Sequence, residues 1–133
     1  MNFKEHVPFG RTGLMVSRIG LSSGYGVPAV AIERAFHEYG VNYFYVSLLK
    51  RGQMVQAIRN LAPKHREQMR IVLAKPTVGG FFVQRFVERW LRKLGIEQAD
   101  LMVLGDVRKP PKPNDNQIEK TDIIKLVMKI QVN

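Results

Sequence analysis

Residues 81–106, FFVQRFVERWLRKLGIEQADLMVLGD, admit few structures. Phe82, Phe86, Val87, Trp90, Leu91 and Leu94 recur at three- and four-residue spacing, with Arg85, Glu88, Arg89, Arg92 and Lys93 between them. This pattern predicts an amphipathic helix. Gly95 stands one step past the last periodic residue, where a left-handed backbone closes a helix. A polar connector then leads into the all-apolar run Leu101, Met102, Val103, Leu104. A strand apolar on both faces predicts cover on both, as in parallel α/β sheets, because a half-exposed antiparallel strand would alternate.

The same cycle occurs upstream. Residues 18–23 (RIGLSS) read as a first strand. Pro28 then opens a helix with the stripe Val30, Ile32, Ala35, Phe36 and Tyr39, stopped by Gly40. Residues 41–46 (VNYFYV) form a second strand rich in aromatic and β-branched side chains. Met54, Val55, Ile58 and Leu61 mark a second helix ending near Pro63. Residues 70–75 (RIVLAK) give the third strand. Strand then helix, repeated with short connectors, requires right-handed crossovers between neighbouring parallel strands. The unit is (βα)3β.

Composition narrows what this unit can do. At 133 residues and 45% hydrophobic content the chain is one globular domain by size. Nothing in it approaches a membrane span or a secretory h-region, so the expected compartment is cytoplasmic. Absence of cysteine excludes disulfides, thiolate catalysis and cysteine-based metal sites. His6, His37 and His65 lie far apart in the sequence and in no ligand spacing, and read as solvent-facing residues rather than a zinc site. The net charge of +10 is spread over helix faces and the tail without a nucleic-acid motif. Tyr43, Phe44 and Tyr45, which could stack on bases, fall within a core strand. The basic excess is therefore read as a solvated surface rather than a nucleic-acid site, and a basic module for acidic partners is the weakest of the functional readings.

Near the chain start, residues 9–17 (FGRTGLMVS) place two glycines in a short polar turn between apolar residues, which predicts a hairpin. From here the sequence resembles a known family. FGRTGLMVSRIGLSSG is similar to the opening of the aldo-keto reductases, with their leucine-glycine-arginine-threonine-glycine hairpin and arginine-leucine-glycine-leucine-glycine strand. AIERAFHEYGVNYFYVS resembles the family's first helix and second strand, RIVLAKP its third strand, and VERWLRKLGIEQADLMVLGD its third helix and fourth strand. The likeness runs from residue 9 to about 106 with spacing kept.

The resemblance implies a TIM (β/α)8 barrel, usually about 250 residues with its site at the carboxyl ends of the strands. The expected fold is α/β, the N-terminal half of such a barrel: (βα)3β with an N-terminal hairpin and an irregular C-terminal tail. Residues 1–106 are expected to form a truncated barrel domain. Residues 107–133, whose prolines and polar residues cannot make another core strand, read as a Pro/Lys-rich linker. Its end is either a terminal helix capped by Thr121 or sequence without a structural role.

The resemblance also implies NADPH-dependent carbonyl reduction, in which a tyrosine supplies the proton, helped by a lysine paired with an aspartate, and a histidine orients the substrate oxygen. A phenol near pKa 10 needs a nearby cation to work near neutrality. Position by position, the lysine is matched by Lys75. The aspartate position holds Tyr45, the tyrosine position Lys50 followed by Arg51, and the histidine position Gly105. Lys75 and Tyr45 are the candidate catalytic residues. Ser22, Ser23 and Gly24 match where the family's backbone lies near the nicotinamide ribose. Gly79 and Gly80 precede a helix without a dinucleotide fingerprint and read as a turn. The expectation is an oxidoreductase by resemblance, inactive as this chain and not binding NADPH by itself. Four parallel strands would leave two open edges and an apolar inner face, so a homo-oligomer through those edges is the expected partner.

Overall fold

The computed structural model describes residues 2–47, 49–75 and 80–104. Two short strands, β1 (His6–Pro8) and β2 (Met15–Ser17), pair antiparallel as the hairpin expected from the glycine-containing turn. Gly10 and Gly13 both have positive φ there, 55° and 76°, which the turn requires. Then follow β3 (Gly20–Ser22), α1 (Ala29–Tyr39), β4 (Tyr43–Val46), α2 (Gly52–His65), β5 (Arg70–Lys75), α3 (Gly80–Leu94) and β6 (Leu101–Leu104). The sheet order is β3-β4-β5-β6 and every pairing is parallel. This is the (βα)3β unit with its hairpin. Residues 105–133, including the linker and Thr121 helix expected from sequence, lie outside the described residues, as do Gly79 and Gly105. No helix among the described residues is long and apolar enough to cross a membrane.

Side chains alternate across the sheet, so its two faces differ. Phe44, Val46, Ile71, Leu73 and Met102 point to the helix side and join Ile32, Met54, Ile58, Leu61, Val87, Trp90 and Leu94 in one core. Phe44, Met54, Ile58, Ile71 and Leu94 are fully buried there. The opposite face carries Gly20, Ser22, Tyr43 and Tyr45 along β3 and β4. Gly40 and Gly95 close α1 and α3 in the left-handed conformation, φ 68° at each, as the stop signals predict.

Four local expectations are corrected. Val30 is 77% exposed and Tyr39 is 54% exposed, because the buried stripe of α1 runs through Ala29, Ile32 and Phe36 and Val30 points some 100° away from Ala29. The second helix passes through Pro63 to His65. Pro63 sits on the exposed side of the last turn, where water can serve the carbonyl left without a donor, while Leu61 and Ala62 hold that turn to the core. The first strand ends at Ser22, and Ser23 begins a 3-10 turn. Finally, β6 is covered unevenly on its two faces: Met102 packs on the core, whereas on the other face Leu101 is half-buried and Val103 is 39% exposed. An apolar run reports hydrophobicity, and the layer that should cover its second face is not encoded in it.

Candidate functional site

In barrels of this type chemistry sits at the carboxyl ends of the strands. At the end of β3, Ser22 caps the turn Ser23–Tyr25, its Oγ accepting from Gly24 N–H at 3.3 Å. Gly26 closes the turn at φ 66°. Ser23 is buried, and its hydroxyl accepts from Ser47 N–H at 2.9 Å while lying 3.0 Å from Ser47 Oγ and 3.1 Å from the Leu49 carbonyl. Ser23 thus ties the end of β3 to the loop after β4, and its hydroxyl is occupied inside the protein. A Cβ on Gly24 would come within 3.3 Å of Ser47 Oγ, so glycine lets the two loops close on each other.

Tyr45 lies beside Ser22 in the parallel register, and both line an open cavity of about 480 Å³. Val7, Pro8, Phe9, Val16, Ser17 and Arg18 supply the rest of its wall together with Leu21, Gly20 and Tyr43. Most of these come from the hairpin and the amino ends of the strands. Phe9 leans over Tyr43 with ring centroids 5.8 Å apart. The hairpin therefore roofs the amino end of the sheet, and Tyr45 faces into that space. Of the three aromatics assigned to a core strand, only Phe44 joins the helix-side core; Tyr43 and Tyr45 are half-buried on the cavity face. Period-two alternation splits the run.

Lys75 ends β5, three residues beyond Val72, which is the neighbour of Tyr45, and aligns with Leu104. At about 3.3 Å per residue this sets the two backbones roughly 10 Å apart along the strand direction. Lys50 has φ 47°, a left-handed conformation uncommon outside glycine. Arg51 follows as N-cap of α2, and its guanidinium carbon stands 4.1 Å from the Trp90 ring centroid, with Lys93 Nζ at 4.7 Å. Partial burial lowers the Arg51 pKa from its usual value, though a guanidinium stays charged throughout the neutral range. Arg51 on the indole ties the start of α2 to α3, while Lys93 reaches the same ring from one turn further along α3.

His6 and His37 are exposed, as the sequence reading expected, and His65 is half-buried. His6, His37 and His65 all line a second cavity of about 380 Å³, with His37 and His65 ring centroids 5.3 Å apart. Crossover topology brings the last turns of α1 and α2 side by side, a proximity that sequence spacing does not carry. Asn42 was also missed: it bonds Ser17, Met15 and Gln68 together while only 3% exposed. Its one sequence signal is a polar residue inside an apolar run.

Comparison with solved structures establishes the fold. Two solved structures from Pseudomonas aeruginosa, each described as a putative aldo-keto reductase, superpose with a TM-score of 0.74, at 21% and 22% identity. The match covers 96% of this chain in both cases, but only 57% and 56% of theirs. The chain thus has the α/β fold of an aldo-keto reductase barrel over little more than half the length of those structures. No protein-family model and no curated protein sequence matches the chain.

Proposed function

We propose that this chain is an aldo-keto reductase-like half-barrel that, by itself, neither holds NADPH nor reduces carbonyls. The observation that carries this reading is the placement of Tyr45: at the family's aspartate position stands a phenol that lines the hairpin-side cavity beside Ser22. A phenol there cannot supply the negative charge that the reductase mechanism sets beside its lysine. Lys50, with its left-handed backbone, occupies the position of the family's proton-donating tyrosine. An ammonium at neutral pH stabilises a developing oxyanion but is a poor match to the phenol's hydrogen-bonding shape. Ser22 and Gly24 keep backbone near the strand ends, and Ser23 is engaged by Ser47 and Leu49. These residues alone offer a dinucleotide few partners.

The test is titration of the purified chain with NADPH by cofactor fluorescence, followed by assay against aromatic and aliphatic aldehydes. No saturable binding and no turnover are expected. Turnover that disappears in Lys75→Met overturns the reading.

A second reading is self-association, favoured by the exposure of Val103 and the half-buried Tyr43 and Tyr45 on the sheet face away from the helices. Among the described residues β3 and β6 each pair with one strand only. A second copy laid against this face removes apolar surface and strand edges from water together. Light scattering is expected to give at least a dimer, and a monodisperse monomer at high concentration rejects it.

A further inference from the structure

Tyr43 and Tyr45 share one face of β4 and both line the hairpin-side cavity of about 480 Å³. Alternate residues of a strand stand roughly 7 Å apart. Phe9 of the hairpin packs on Tyr43 with ring centroids 5.8 Å apart. Tyr45 is half-buried, and among the described residues no ring packs on it. Neither tyrosine hydroxyl has a hydrogen-bond partner among the described residues. Ser22, beside Tyr45, accepts one long bond from Gly24 N–H at 3.3 Å and donates none. Val7, Pro8, Val16 and Leu21 make most of the wall apolar, and Arg18 is the single charged residue lining it. Arg18 Nη2 meets Glu5 Oε2 at 3.1 Å with both side chains exposed, a weakly held pair that leaves the other guanidinium donors free.

We propose that this cavity binds a flat aromatic carboxylic acid. The ligand ring lies on Tyr45 as Phe9 lies on Tyr43, extending the aromatic row along the sheet face. Its carboxylate takes the guanidinium donors of Arg18 that Glu5 leaves free. Small-ligand pockets are mostly apolar, roughly 300–1,000 Å³ in volume, with a few polar groups that set orientation. The polar groups here can all donate: the hydroxyls of Tyr43, Tyr45 and Ser22 and the guanidinium of Arg18, with no carboxylate in the lining. That set suits an anion, and the net charge of +10 draws one in. A neutral ring leaves Arg18 without a ligand partner, and an alkyl acid leaves Tyr45 without one. Such binding needs neither NADPH nor Lys75, so it stands apart from the reductase reading, and it competes with a second copy for the same sheet face.

The experiment is calorimetric titration of the full chain with 2-naphthoate, 2-naphthylmethanol and decanoate. One equivalent of 2-naphthoate is expected to bind, with each of the others about tenfold weaker or more, since each lacks the charge or the ring. Arg18→Ala is expected to lower naphthoate affinity about tenfold and to leave 2-naphthylmethanol unchanged, while Tyr45→Leu weakens both. Arg18 is exposed, so Arg18→Ala decides the matter if Tyr45→Leu fails to fold. Naphthoate binding that is absent, no tighter than that of decanoate, or unchanged in Arg18→Ala overturns the site. Light scattering on the same samples reads self-association separately: a dimer that takes up no naphthoate rejects the site and keeps the second copy, whereas a monomer that binds it does the reverse.

Discussion

Asn42 and Ser17 exchange hydrogen bonds in both directions. Asn42 Oδ1 accepts from Ser17 N–H at 2.7 Å, and Asn42 N–H donates to Ser17 Oγ at 3.1 Å. The Asn42 amide also donates to the Met15 and Gln68 carbonyls, both at 3.1 Å, and its own carbonyl accepts from Arg70 N–H at 2.7 Å. One buried side chain thereby fixes the hairpin, the start of β4 and the approach to β5. Neither of its neighbours in sequence could do so, since Val41 has no polar group and Tyr43 faces the cavity.

Replacing this residue tests that role. Asn42→Ala leaves several buried donors and acceptors unpaired and is expected to destabilise the chain by about 3 kcal/mol. Urea unfolding followed by circular dichroism measures it. A loss below about 1 kcal/mol would mean that water serves those groups instead.

Gly20 lies beneath the ring of Tyr43, its register partner on β4. A Cβ on Gly20 would overlap the Tyr43 ring. Gly20→Ala is therefore expected to cost about 1–3 kcal/mol by displacing that ring and loosening Phe9 above it. In a double-mutant cycle with Tyr43→Ala the penalty should largely vanish, whereas strictly additive losses would place the strain elsewhere.

Asp100 precedes β6 and joins it to the rest of the sheet. Its Oδ2 accepts from Ile71 N–H at 2.7 Å and pairs with Arg66 Nη2 at 3.1 Å, both side chains being largely shielded from water. Arg66 also donates to the Met69 and Gln98 carbonyls. Asp100→Ala strands a shielded guanidinium and is expected to cost about 3 kcal/mol. Arg66→Lys should recover less than half of what Arg66→Ala loses, because an ammonium cannot serve the fork of acceptors; thermal melts of the three variants compare them.

Trp90 is the chain's one tryptophan, so its fluorescence reports the cation contacts directly. Arg51→Ala is expected to shift Trp90 emission and to lower stability by about 0.5–1 kcal/mol. Lys93→Ala, which removes the more distant cation, should have the smaller effect. The reverse order would show that Lys93 is the principal partner.

How far the sequence reached differs from element to element. RIVLAK gave β5 to the residue, and Gly40 and Gly95 marked the ends of α1 and α3, because a glycine stop and an apolar run are local facts. Pro63 misled, since a proline in an exposed last turn removes a hydrogen bond that water can replace. At the candidate site, sequence placed Tyr45, Ser22 and Lys75 on or beside strand ends. It did not show that Tyr45 faces the hairpin-side cavity or that Ser23 is buried against Ser47.

By itself the sequence determined the alternation of strands and helices, their order and the parallel sheet, because hydrophobic period and chain stops act over a few residues at a time. Tertiary structure alone decided that Asn42 joins three segments, that Arg51 meets Trp90, and that three histidines share a cavity. Those meetings depend on how successive crossovers set helix ends beside one another across tens of residues. No spacing along the chain records that distance.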